Sequence, residues 1–190
     1  MSYLTLENHC DNFKSEISEI AQKMFNEQGE LQPVLFALVY KKGQFGIAIL
    51  GGLEKFFISD DGKETAAIMM KKFNQEAKPI ATAFVSEGWM STFNKDTEIH
   101  DEDGNYKEGI VRPSKDPKRK EVITINFETY NKKAFSCWEI ERKGEEVTLT
   151  ETTFGLDWED KDSNFSGRFS GLLEENYSYV AELMKEINFN

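Results

Sequence analysis

The stretch 121–142, EVITINFETYNKKAFSCWEIER, decides the fold. Ile123, Ile125 and Phe127 alternate with Thr124, Asn126 and Glu128, and successive side chains of a strand point to opposite sides of a sheet. A strand over Glu121 to Tyr130 with one apolar and one polar face follows. Asn131-Lys132-Lys133 is turn chemistry that leads into a second strand, Ala134 to Arg142, and Lys143-Gly144-Glu145 turns the chain again into Glu146 to Phe154. Three strands joined by tight turns make an antiparallel meander, with its outer face expected to be wet.

Working outward, Ile80 to Met90 reads as the preceding strand, with Ala81, Ala83 and Val85 on one face and Ile80, Thr82 and Phe84 on the other. Further upstream, Pro33 opens the apolar run Val34 to Tyr40, and Lys41-Lys42-Gly43-Gln44 separates it from Phe45 to Leu50, which predicts a hairpin. Its first strand is apolar on both faces and belongs inside a sheet with cover on each side. Leu53 to Ser59 is expected to add a short strand after Gly51-Gly52.

The helices follow a different period. Leu6, Cys10, Phe13, Ile17, Ile20 and Met24 recur every three or four residues, with Ser2 or Thr5 as cap and Gly29 as stop. A second helix, marked by Thr65, Ile68, Met69, Lys72, Phe73 and Glu76, must end before Pro79, and Ile68, Met69 and Phe73 are expected to face the sheet. Leu173, Tyr177, Val180, Met184 and Ile187 predict a third, whereas Gly155 to Gly171 fits neither period and reads as an irregular wrap. The sum is one α+β domain over residues 1–190, a mostly antiparallel sheet with helices gathered on one face. From it a charged excursion, about residues 94–120, protrudes as a hairpin with Asp103-Gly104 at its tip.

The chain has 190 residues, 39% apolar and 30% charged, the composition of a soluble globular domain. No apolar run reaches the roughly 18 residues of a membrane span, and residues 1–28 carry no secretory signal, so a cytoplasmic protein with no membrane partner is expected. The net charge of −11 argues against general nucleic-acid binding. Within that acidic background, Asp96, Glu98, Asp101, Glu102, Asp103 and Glu108 are followed by Arg112, Lys115, Lys118, Arg119 and Lys120. Such blocks either neutralise each other across a solvated hairpin or form a docking patch.

The chemistry-bearing residues are sparse. His9, His100, Cys10 and Cys137 have no metal-ligand spacing, so no metal and no cofactor is expected, and Cys10 reads as a small buried hydrophobe. The aspartate runs at Asp101 and Asp160 lack the glycine and terminal glutamate of a calcium loop, and phosphate-cradling glycine motifs and the serine elbow are missing from the sequence.

One concentration remains: Glu87-Gly88-Trp89-Met90 at a strand end, and Asp116-Pro117-Lys118-Arg119-Lys120-Glu121 leading into the next strand. The pair resembles a pattern in uncharacterised bacterial and phage proteins, in which a strand ends in E-[AG]-W-M and a proline-flanked D-P-x-R-x-E segment precedes the following strand. The resemblance covers about a quarter of the chain, Ala81 to Thr129, and implies no activity or catalytic role. On physical grounds Trp89 offers a flat surface on which Arg112 or Arg119 can stack, or Arg119 can simply pair with Glu87 across strands.

Three readings of function follow. The first is a non-catalytic protein-interaction or regulatory protein, phage-associated if the resemblance holds, that binds another protein through Trp89, Arg112, Arg119, Lys120 and Glu87; self-association is compatible with it. The second is an enzyme or small-ligand binder with Glu87 as acid or base beside Arg119. The third is an acidic decoy that imitates nucleic acid.

Overall fold

The structure, a computed structural model, describes residues 5–91, 107, 109–144, 146–152, 156–160, 169, 171–173 and 179. Helix α1, Leu6–Gln28, starts at Thr5, whose hydroxyl accepts the Asn8 N–H while the Asn8 side chain accepts the Thr5 N–H. This reciprocal cap satisfies donors that a helix start leaves orphaned. At the other end Gly29 sits at φ 75° and donates its N–H to Phe25, a conformation glycine adopts without steric cost. The buried stripe runs Cys10, Phe13, Ile17, Ala21, Phe25 and thus drifts one position from the expected line, leaving Ile20 and Met24 half-buried. Each large side chain so buried contributes about 1.5–3 kcal/mol.

Strands β1, Val34–Lys41, and β2, Gln44–Leu50, form the expected hairpin. Its two-residue turn has Lys42 at φ 53° and Gly43 at φ 81°, the mirror-image turn whose twist suits paired strands. The segment expected as another strand instead makes a 3-10 turn, Glu54–Phe56. Its apolar residues have a different use: Leu53, Phe56 and Phe57 pack beneath the next helix while the chain reverses direction.

That helix, α2, spans Asp60–Ala77, with Ser59 accepting the Gly62 N–H and Asp60 and Asp61 complementing the positive helix start. Its buried face is Ala66, Ala67, Met70 and Asn74, with Phe73 packed alongside, whereas Ile68 is turned to solvent. The expected face is therefore wrong by part of a turn. Periodicity favoured Ile68 over a stripe containing Asn74, but buried Asn74 uses its amide to donate to the Leu172 carbonyl.

Four further antiparallel strands complete the sheet: β3, Ala81–Met90, β4, Lys120–Thr129, β5, Lys132–Lys143, and β6, Glu146–Glu151, in the order β2-β1-β3-β4-β5-β6. Within the stretch read as irregular, Leu156–Asp160 forms β7 and pairs with the first half of β5, whose second half pairs with β6. The third helix, the excursion tip at Asp103-Gly104 and the acidic block from Asp96 to Glu108 lie outside the described residues, apart from Lys107 and isolated positions near Leu173 and Tyr179.

The α+β class stands, but the two described helices do not share a face. α1 packs on Val34, Phe36, Leu38, Ala81, Ala83, Val85, Ile123, Ile125 and Phe127, whereas α2 packs with Leu35 and Phe84. These sets alternate along β1 and β3, so they lie on opposite sides of the sheet. The reason is written in β1, whose apolar residues on both faces demand cover twice.

Candidate functional site

At the far end of β3 the alternation places Val85, Glu87 and Trp89 on the α1 side. Trp89 stands opposite Glu121 in the β3–β4 register and is 46% exposed. The segment entering β4 brings a cation to it. A 3-10 turn at Pro113–Lys115 is followed by Asp116, whose carboxylate accepts the Lys118 N–H at 2.8 Å, and the Arg119 N–H returns to the Asp116 carbonyl. Proline fixes the entry to this turn and aspartate closes it, because a short carboxylate readily captures an amide two residues on. Arg119 thereby lies over the indole with its guanidinium carbon 4.4 Å from the ring centre, while Nη1 donates to the Ser114 carbonyl. The two halves of the strand-end and proline-flanked pattern thus meet as a cation–π stack.

Beside the stack runs a chain of charges that the sequence reading missed. Glu121 accepts two bonds from Arg142, at 3.0 Å from Nε and 3.1 Å from Nη2, and the remaining Nη1 donates to the Gly29 carbonyl at the end of α1. Two parallel bonds on a planar guanidinium make the stronger kind of ion pair, and here they tie β4, β5 and α1 together. The signal was present: Glu121 opens one meander strand and Arg142 closes the next, and antiparallel pairing makes such positions neighbours.

Glu87 faces this chain and not Arg119. Its carboxylate accepts the Leu31 N–H at 2.5 Å, and burial holds its pKa above the ordinary carboxylate range; the Leu31 bond and Arg142 oppose that shift, while Glu121 and Glu30 add to it. The expected Glu87–Arg119 pairing is therefore replaced by Glu87–Leu31 and Arg119–Trp89. The cations do not form one patch either. Lys120 points to the α2 side of the sheet, where its Nζ is 2.6 Å from Glu139, and Arg112 reaches Asp60 in the first turn of α2 at 3.5 Å. Of the five candidate residues, Trp89 and Arg119 touch directly, with Glu87 nearby on the same face.

The thiols and imidazole serve packing. Burial pushes the Cys10 thiol up to about 12 and also raises that of Cys137, and His9 stacks on Phe45 with ring centres 3.8 Å apart. His100 lies outside the described residues. Among the described residues there is no group of three or more His, Cys, Asp or Glu side chains able to hold a metal ion. A cleft of about 320 Å³ opens elsewhere, at the start of α1, lined by Leu6, Cys10, Asp11, Tyr130, Lys132 and Trp158. There Asp11 already accepts the Trp158 indole N–H at 2.7 Å and Glu7 lies 3.4 Å from Lys132.

The chain matches no protein-family model, no curated protein and no solved structure. No helix among the described residues is long and apolar enough to cross a membrane. The site offers a displayed aromatic surface capped by a cation held by Ser114, with the raised carboxylate of Glu87 occupied by a backbone bond.

Proposed function

We propose that this chain is a non-catalytic interaction protein of the cytoplasm, which docks another protein through the Trp89–Arg119 stack. The observation that carries the reading is a tryptophan left 46% exposed at a strand end, with a guanidinium immobilised over it. Tryptophan and arginine dominate binding energy at protein interfaces when desolvated, and a pre-positioned pair loses little side-chain freedom on binding. Arg119 keeps donors beyond the one given to Ser114, so a carboxylate on the partner is the complementary group. Arg112 and Lys120, held by Asp60 and Glu139, are peripheral to this contact.

The enzymatic reading has less support, because Glu87 is engaged with Leu31 and forms no ion pair with Arg119. The decoy reading rests on net charge alone. The test is a pull-down with wild type, Trp89→Ala and Arg119→Glu, each checked for an unchanged melting temperature. Loss of a specific co-purifying protein from both variants, corresponding to at least about tenfold weaker binding, is the expected result. An unchanged set of partners would remove the stack from any account of function.

A further inference from the structure

The sheet ends on β2, and the main-chain geometry there is fixed by bonds on its neighbour. The Leu38 carbonyl accepts the Ile80 N–H and the Tyr40 carbonyl accepts the Tyr179 hydroxyl, so both point away from β2. Their opposite residues are Ile47 and Phe45. In an antiparallel pair, a residue whose partner points away points away itself. Phe45, Ile47 and, two further on, Ile49 therefore direct their N–H and C=O groups outward, and among the described residues no strand receives them.

The opposite edge is protected differently. β6 begins and ends with Glu146 and Glu151, charges of the kind that discourage strand addition. β2, QFGIAIL, has neither charge nor proline, and its Ile49 side chain is 60% exposed. A long, uncharged edge with an exposed isoleucine is an unprotected template.

We propose that β2 pairs antiparallel with β2 of a second copy of this chain, about a twofold axis through Ile47. The occupant follows from the register. Centring on Ile47 sets it against itself and sets Phe45 against Ile49 of the other copy, so all three outward-pointing residues meet their like and each pair exchanges two backbone bonds. The same register lays Phe45, already fixed by His9 and Tyr40, against the exposed Ile49 of the second copy. It also sets Lys42-Gly43 against Gly51-Gly52 of that copy, so no like charges stand opposite each other. Seven residues of strand extend roughly 24 Å. Such a contact buries less than the roughly 1,200 Å² of a standard stable interface, so the dimer is concentration-dependent.

Sedimentation velocity on the full chain over a concentration series tests this, together with two cysteine variants. Wild type should pass from monomer to dimer as concentration rises. Ile49→Pro removes an outward N–H that β1 does not use, and should raise the dissociation constant at least about tenfold at an unchanged circular-dichroism spectrum. Should that variant misfold, the exposed substitution Ile49→Lys replaces it with the same expectation. Ile47→Cys should form a disulfide-linked dimer on oxidation, because its Cα atoms are about 5.5 Å apart across the axis, whereas Ala48→Cys should not. A chain that stays monomeric throughout, a dimer that persists in the proline or lysine variant, or Ala48→Cys linking as readily as Ile47→Cys would each overturn the proposal.

Discussion

Glu128 and Leu172 meet across 44 residues of sequence: one oxygen of the buried carboxylate accepts the Leu172 N–H at 2.8 Å and the other accepts that of Gly171. With the Asn74 amide donating to the Leu172 carbonyl, two side chains grip the backbone of the turn at residues 171–173. Removing the carboxylate leaves two buried N–H groups without an acceptor. Glu128→Ala should therefore lower stability by about 3 kcal/mol, read as a drop in the urea midpoint. Glu128→Gln keeps one acceptor and should cost less. In both, the Leu172 amide should exchange with solvent faster than amides of β4, and equal protection of all of them would contradict the clamp.

Glycine in a helix usually weakens it, and replacement by alanine usually gains about 1 kcal/mol. Gly62 should behave in the opposite way. A β-carbon there would collide with the Phe56 carbonyl and stand 3.1 Å from the Ser59 hydroxyl that caps α2. Gly62→Ala is expected to destabilise by about 1–3 kcal/mol, as overpacking does. A gain in melting temperature would show that the turn before α2 yields freely.

The raised pKa of Glu87 has a definite sign in the pH dependence of stability. Because the native carboxyl holds its proton to higher pH than the unfolded one, the folded state binds more protons throughout the window between the two values, and stability falls as pH rises through it. Glu87→Gln retains an oxygen for the Leu31 N–H but never ionises. Its advantage over wild type should open as pH rises above the ordinary carboxylate range, measured as paired urea titrations. Parallel profiles for the two proteins would mean that burial does not control this group.

Neither thiol should react while the chain is folded. Cys10 is 7% exposed with its pKa at about 12, Cys137 is 1% exposed, and only a thiolate attacks a disulfide reagent. Ellman's reagent should report no fast-reacting thiol in the native protein and two after denaturation in urea. Rapid native labelling of either would require an opening of α1 or β5.

The hairpin and strands β3 to β6 were legible because period-two patterning and turn residues are local, and their bounds fall within a few residues of those expected. Non-local facts were not legible. Glu128 continues the polar positions Thr124 and Asn126 and so reads as solvent-facing, yet the chain near Leu172 returns to cover it. Asn74 disguised the true face of α2 for the same reason, since its burial depends on a carbonyl 98 residues away. The helices were expected on one face although β1 already asked for cover on two. At the site, the Trp89–Arg119 contact was one of three arrangements that the residue types allowed, beside Arg112 over Trp89 and Arg119 against Glu87, and the turn at Asp116 carries Arg119 to the indole.

Leu172 and Leu173 are buried, and Leu172 belongs to the cluster that joins Leu35, Phe84, Ala66 and Met70 beneath α2. A ribosome making this chain therefore delivers this wedge long after it has delivered the strands and helix that await it. Until then Leu35, Phe84 and Met70 lack one of their covers, and a nascent chain halted at residue 170 should bind the dyes that light up on uncovered hydrocarbon.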